Sequence, residues 1–426
     1  MTEGYQLNSN IKEKEKNESF TSLVLACAAV YFISYLTRLN YSAVMVDIIE
    51  SEGYAKSAAG APVTALFISY GAGQIISGIL GDKINPKNLI TVGLAVAAAM
   101  NLAVPFCRSA AYITVAWCIN GFAQALMWPP IVRIFSEYLT PKRYKTATVE
   151  VSWGGSVGTI AIYLLSPVLV TLFGWKSVFY IVAALAAVAA FLWHRGINSV
   201  EKRLTPVLPQ SFGRGGGASS FEQRKSLGKG TLIMLIMIML AIILQGIIRD
   251  GVTTWLPTYI SDSFDLESAV SILTGVGMPV FSIVFCKLAE LLSRRIFPNE
   301  VMCAAFFFLL CLICLGVMIL SGGGSMAVSL VCLTLATGCM HGANVMLICM
   351  LPPYFLKTGH VSLVSGVLNC CTYVGSALSI YGVALVTESK GWGASIKLFA
   401  FSALVGLVIL LFSAAPWRKF VSQKVR

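Results

Sequence analysis

Two arginines stand where the chain otherwise reads as membrane-spanning: Arg38 in "SYLTRLNYSAV" and Arg249 in "LQGIIRDGVTTWLPTY". A guanidinium keeps its charge at every pH a protein meets. At the centre of a spanning helix it costs about 2.5–3.5 kcal/mol on insertion scales. Recognition of an anion repays such a cost, because the planar fork grips a phosphate or carboxylate through paired N–H bonds. Structural ion pairing is the alternative use. Arg38 has no acid close by in its own run; Asp47 is more than two turns away. Arg249 adjoins Asp250, but neighbours in sequence point about 100° apart on a helix and are not expected to face each other. Asp250 is then left to pair in another helix or to carry a proton.

Other polar groups in apolar surroundings are few. Tyr31 and Tyr35 are spaced i, i+4, with Arg38 one further turn on, so the three share a helix face. Glu150 and His341 are titratable groups inside apolar runs. A histidine there serves either as a titrating group or as a hydrogen-bonding link between helices. Glu150 serves either in proton carriage or at a cytoplasmic gate. The three histidines, 194, 341 and 360, form no HExxH motif, and neither a GxSxG nor a Walker loop is present. No catalytic function, cofactor or metal is expected, and with no nucleotide site any transport must be driven by a gradient.

The elements that hold these residues follow from composition. Of 426 residues, 57% are apolar and only 12% charged, against about 25% charged in soluble domains. The chain is an integral membrane protein. Its net charge of +12 does not indicate nucleic acid, because the basic residues are dispersed over short loops. The 12 cysteines lie mostly in apolar runs such as "CLIC" and "NCC" and read as small buried hydrophobes. Apolar runs of spanning length fall at 20–46, 57–80, 88–107, 111–137, 146–172, 176–194, 230–259, 267–292, 299–321, 326–352, 361–386 and 393–415.

Residues 195–229, with "TPVLPQ" and "GRGGGASS", form a Pro/Gly/Ser linker. The expected organisation is a polar tail over 1–19, a six-helix bundle over 20–194, the linker, a second bundle over 230–415 and a tail over 416–426. Lys12, Lys14, Lys16, Lys83, Lys87, Lys142, Arg143, Lys145, Arg294, Arg295, Lys357, Arg418, Lys419, Lys424 and Arg426 lie on one side with the basic linker. The other side has Lys56, Arg108, Lys176 and Lys390. The positive-inside rule puts both termini and the linker in the cytoplasm of a cell with this protein in its plasma, or inner, membrane.

The halves resemble each other. Gly121 and Gly338, Val157-Gly158 and Val374-Gly375, and Gly174-Trp175 and Gly391-Trp392 recur at one interval. His341 then stands at the repeat position of Gln124. A duplicated bundle of six plus six helices meeting at a central cavity is the major facilitator architecture. In it the first and seventh spans face each other, so Arg38 and Arg249 would point into one cavity.

Four segments carry a more specific resemblance: "YFISYLTRLNY" (31–41), "SYGAGQIISGILGDKINPK" (69–87), "GFAQALMWPP" (121–130) and "RDGVTTWLPTYI" (249–260). The chain resembles the organophosphate:phosphate antiporters, the bacterial glycerol-phosphate and hexose-phosphate carriers and their sensor relatives. The likeness is clearest over spans 1–5 and the end of span 7. It implies that Arg38 and Arg249 bind phosphate and that Tyr31, Tyr35 and Tyr70 line the cavity. Gln124 matches a span 4 motif and serves in the cavity or in helix packing, while Trp128, Pro129 and Pro130 set helix shape. Tyr373 is taken as a further substrate contact. Gly78, Asp82 and Lys83 belong to the gate signature between spans 2 and 3. The chain departs from the family where a span 2 lysine is replaced by Gln74, a span 5 histidine by Gly155 and a span 8 acid by Thr274. Those losses make a monoanion competitive with a phosphate ester.

The expectation is an all-α, twelve-span secondary transporter of a small organic anion, a phosphorylated metabolite first, exchanged for phosphate. Its alternatives are proton-coupled symport of a sugar acid or other carboxylate, with Asp250 and Glu150 as coupling candidates, and a membrane sensor of a sugar phosphate. Partners are the anion, with phosphate or protons, and the lipid bilayer, with the protein acting as a monomer.

Overall fold

The computed structural model describes residues 2–54, 56–203, 229–264 and 277–425. All of its regular structure is helical. Eleven helices among the described residues are long and apolar enough to cross a membrane. The expected eighth span, 267–292, begins outside the described residues, as does Thr274; its remainder is the helix Met278–Arg295. Most of the expected linker, 204–228, also lies outside them. The chain divides into two compact units, Met1–Gly216 and Gly217–Arg426.

The first unit contains α1 (Thr2–Ala43), α2 (Met45–Glu52), α3 (Lys56–Lys83), α4 (Pro86–Ala103), α5 (Ala110–Ala125), α6 (Trp128–Tyr138), α7 (Pro141–Phe173) and α8 (Trp175–Arg203). The second contains α9 (Lys229–Phe264), α10 (Met278–Arg295), α11 (Glu300–Leu320), α12 (Met326–Asn344), α13 (Val361–Lys390) and α14 (Trp392–Val425). Helix extends beyond the apolar runs at several ends: α1 starts inside the expected tail, α8 continues past 194 and α14 past 415. Hydropathy marks where a helix meets lipid, not where its hydrogen-bond ladder stops.

The ends have local causes. The Asn85 side chain accepts from the Lys87 amide at 3.0 Å, and Pro86 opens α4. Asn299 caps α11, accepting from Val301 and Met302 at 3.0 and 3.1 Å. Gly174 and Gly391 close α7 and α13 at φ of +76° and +75°, a region open to glycine at no steric cost. Each is followed by a tryptophan that opens the next helix, so the repeat seen in sequence is a repeated corner.

In the first unit α1 packs against α7 and α8, and α3 against α5. In the second, α9 packs against α13 and α14, and α11 against α12 and α14. Repeat-related glycines bring backbones into contact. A Cβ on Gly158 would lie 2.8 Å from the Phe32 carbonyl oxygen, and one on Gly375 would collide with that of Ile243. Small residues at crossings are how membrane helices approach without a hydrophobic drive between them. Large apolar side chains such as Leu164, Phe173, Phe401 and Phe412 stay exposed on the helices, as lipid contact requires.

Candidate functional site

In the first unit the fourth span breaks at Leu126-Met127, immediately before Trp128-Pro129-Pro130. The imino residues cannot donate to the preceding turn, so the ladder restarts at Trp128. The break sets Trp128 against Tyr31, ring centroids 5.2 Å apart, and Tyr31 against Tyr35 at the same distance. The Arg38 guanidinium lies 4.2 Å from the Tyr35 ring centre and 5.2 Å from that of Tyr70. Four of the expected residues, Arg38, Tyr31, Tyr35 and Tyr70, with Trp128, thus form one aromatic cage. Cation–π attraction of this kind contributes about 0.5–2 kcal/mol, more when desolvated, and Arg38 is 9% exposed.

Gly155 explains one departure from the related carriers. A Cβ there would lie 2.7 Å from the Tyr35 ring and 3.1 Å from that of Tyr31. A histidine at 155 cannot coexist with these tyrosine positions. Gln74, one turn after Tyr70, is fully buried, and neither of its amide atoms has a hydrogen-bond partner among the described residues.

Behind the cage lies a polar network that the sequence reading did not assemble. Ser34 donates to Gln124 Oε1 at 2.6 Å, and Gln124 Nε2 donates to Thr37 Oγ1 at 2.7 Å. Asn120 and Asn101 both donate to the Thr37 carbonyl, at 2.9 and 3.1 Å, and Asn40 donates to Asn101 at 2.7 Å. Gln124 is therefore held by α1 and by Asn120 of its own helix, within a network that fixes the turn carrying Arg38. The only signal in the sequence was isolated amides in three apolar runs.

In the second unit Arg249 and Asp250 do face each other. Arg249 Nε and Nη2 donate to the two carboxylate oxygens at 2.7 and 2.8 Å. This corrects the expectation that adjacent residues on a helix stay apart. The 100° separation holds for the Cβ atoms, and the long arginine arm folds back across it. Ser376 of α13 also donates to Asp250 Oδ2. Tyr373 lies one turn before Ser376 on α13. Gln245, one turn before Arg249, donates to the Met340 carbonyl at 3.1 Å, which fixes α9 beside His341. His341 lies within electrostatic reach of both Arg249 and Asp250.

Glu150 is placed elsewhere. Gly154 meets Ala28 and Gly158 meets Phe32, so α7 and α1 run parallel and Glu150 is level with Val24, about 20 Å along the helix from Arg38. At the end of α3, Gly78 is buried, Asp82 half-buried and Lys83 exposed. Arg133 of α6, absent from the sequence reading, donates to the Gly81 and Ile84 carbonyls and pairs with Glu137 at 2.8 Å. It satisfies the carbonyls that the end of α3 leaves open.

The Major Facilitator Superfamily profile matches residues 27–380. The chain belongs to this superfamily. Facilitators are membrane transporters rather than enzymes, and this one is a multi-pass membrane protein. It is 25% identical over 162 residues to a probable hexose phosphate transport protein of Chlamydia trachomatis, covering 38% of this chain and 36% of that one. It is 25% identical over 246 residues to a glycerol-3-phosphate transporter of Bacillus subtilis, covering 54% of each. It is 22% identical over 402 residues to the membrane sensor protein UhpC of Salmonella typhimurium, covering 89% of this chain and 88% of that one. The chain spans about a third of the chlamydial relative's length and about half of the Bacillus one's. These relatives are the organophosphate carriers and sensor that the four sequence segments resemble. Among solved structures, a bacterial ferroportin homologue in the outward-facing state superposes with TM-score 0.73 at 12% identity, covering 92% of this facilitator and 99% of that chain. The Escherichia coli fucose:proton symporter superposes with TM-score 0.68 at 14% identity, covering 93% and 99%. Both likenesses concern the fold.

Proposed function

We propose that this facilitator carries small organic anions, phosphorylated metabolites foremost, across the plasma or inner membrane in exchange for phosphate. Arg38 and Arg249 both bind the acidic group, and the site opens to each side in turn. Tyr31, Tyr35 and Tyr70 hold Arg38, while Gln74, His341 and Tyr373 complete the contacts. Gln124 acts through the α1 network. Asp82, with Gly78 and Lys83, gates the cytoplasmic side; both termini are cytoplasmic, and the carrier works as a monomer. The observation that carries this reading is a guanidinium in each half, at corresponding spans and largely buried. One is held by aromatic faces and the other by a carboxylate.

Two other readings have specific support. Gln74 and Gly155, in place of a lysine and a histidine, lower the positive charge of the site, which favours a monoanion such as a sugar acid, driven by protons. The alignment with the UhpC sensor, over most of both chains, favours binding without flux. Counterflow in proteoliposomes against glucose 6-phosphate, glycerol 3-phosphate, inorganic phosphate and gluconate separates the three. Exchange of the phosphorylated compounds supports the proposal. Preference for gluconate supports the symporter, and binding of glucose 6-phosphate without counterflow supports the sensor.

A further inference from the structure

Asp250 makes the same two bonds to Arg249 that an acidic substrate would make. Its oxygens take Nε–H and Nη2–H at 2.7 and 2.8 Å, the paired edge by which a guanidinium recognises a phosphate or carboxylate. Ligand and Asp250 thus compete for one edge. We propose that Asp250 is an internal anion which occupies Arg249 in the empty carrier, yields it to the substrate's acidic group and takes up a proton as it leaves. This rests on Arg249 as a substrate ligand.

Ser376 is placed to serve both forms of the carboxyl. Its hydroxyl has one proton and two acceptors in reach, Asp250 Oδ2 and the Thr372 carbonyl, the latter at 2.9 Å. With Asp250 ionised, the hydroxyl donates to it. With Asp250 protonated, the acid O–H donates to Ser376 Oγ, and the serine turns its own proton to Thr372. The Asp250 Oδ2–Ser376 contact is kept in both forms. Among the described residues, the groups around the pair offer no second strong cation for the displaced carboxylate. His341 of α12 lies within electrostatic reach of the carboxylate, and Cys286 of α10 within reach of Arg249. Helix α14 brings the apolar Phe399 ring against neighbouring Gly251. A carboxylate stripped of its guanidinium in such surroundings is costly, and protonation removes the cost.

The step balances simply. Two N–H···O bonds pass from Asp250 to the substrate anion, and one proton passes from the aqueous phase to Asp250. Charge on the second unit is the same before and after if the ligand is a monoanion. The proton moves with the ligand whether the carrier returns empty or exchanges one anion for another. By linkage, protonation of Asp250 strengthens anion binding and anion binding strengthens protonation. Affinity therefore falls as pH rises.

The test is titration calorimetry of the purified full-length carrier with glucose 6-phosphate at pH 7.5, in two buffers of different ionisation enthalpy. At that pH the ester, with a second pKa of about 6, contributes little proton release. The wild type is expected to take up close to one proton per ligand. Asp250→Asn should bind at least fivefold more tightly, take up none and keep its affinity from pH 7 to 9. Ser376→Ala should reduce the uptake, because protonated Asp250 loses its acceptor. No proton uptake by the wild type overturns the proposal without any variant. So does Asp250→Asn that binds more weakly, or that takes up a proton as the wild type does; Asp250 then merely props Arg249. Arg249→Lys distinguishes the two levels. If it binds like the wild type, or if the wild type binds nothing, the reading of Arg249 as a ligand has failed. If it loses binding while Asp250→Asn fails its expectation, only the internal anion has failed.

Discussion

The two halves hold their arginines by different means. Arg38 is covered by the faces of Tyr35 and Tyr70 and sits on a network of amides and hydroxyls. Arg249 is bound edge-on by Asp250. Aromatic rings stabilise a guanidinium from above, whereas a carboxylate takes its N–H edge. The carboxylate satisfies the edge, so under the proposed function an incoming anion has to replace it. A duplicated architecture thus carries unequal arms, one arginine held by aromatic faces and one by a carboxylate.

The largest expected effects come from breaking each arm separately. Arg249→Ala leaves Asp250 as an uncompensated, largely buried charge, and loss of one partner of such a pair costs about 3–5 kcal/mol. Because Asp250 keeps a side-chain exposure of 26%, the lower end of that range is expected. Arg38→Ala removes a cation held by the faces of Tyr35 and Tyr70 and should cost less. Thermal unfolding in detergent should show the larger drop for Arg249→Ala, most of it recovered in the double substitution of Arg249 and Asp250 by Ala. Equal drops would show that the arms are not held differently.

Next come the helix crossings. Gly375→Ala forces a methyl onto the Ile243 carbonyl, an overpacking of about 1–3 kcal/mol. Gly382→Ala, seven residues on in the same helix, meets nothing within 4 Å and should leave the melting temperature unchanged. If both variants melt alike, close approach at 375 is not what holds α9 to α13.

Within the first arm, the Tyr35 ring is expected to matter more than its hydroxyl. Tyr35→Ala should weaken glucose 6-phosphate binding by about 0.5–2 kcal/mol, and Tyr35→Phe should leave it within twofold. A large loss in the phenylalanine variant would assign the role to the hydroxyl and remove the cation–π account.

The smallest effects are expected at the caps. Asn85 satisfies one amide at the start of α4. Asn299 satisfies two at the start of α11 and also donates to the Ala414 carbonyl at 2.9 Å. Each Asn→Ala change should cost about 1 kcal/mol, with Asn299→Ala the larger by thermal unfolding.

Much of this was legible in the sequence because the bilayer imposes a simple rule. A run of about twenty apolar residues must span, and a charge inside one stands out. The two arginines and the tyrosines at helical spacing needed nothing more, and the shape-setting role of Pro129-Pro130 came with the resemblance to the related carriers. The Gly174 and Gly391 corners were visible because glycine-tryptophan pairs recur at one interval. The Arg249–Asp250 pair was misread because helical geometry fixes Cβ directions, while a guanidinium reaches several bonds beyond its Cβ. The Asn40, Asn101 and Asn120 network was missed because three helices each contribute an isolated amide, and no interval along the chain relates them. Arg133 was missed because, beyond the ordinary i, i+4 pair with Glu137, its partners are the Gly81 and Ile84 carbonyls, which carry no residue identity.

The central claim is that both arginines bind the substrate anion, and the most direct test is affinity after a change that keeps the charge and removes the fork. Glucose 6-phosphate binding to the wild type, Arg38→Lys and Arg249→Lys should be compared by titration calorimetry, with circular dichroism confirming that each variant keeps its helices. A loss of more than tenfold in each variant, about 1.4 kcal/mol or more, is the predicted result. An affinity within twofold of the wild type in either variant would contradict the account.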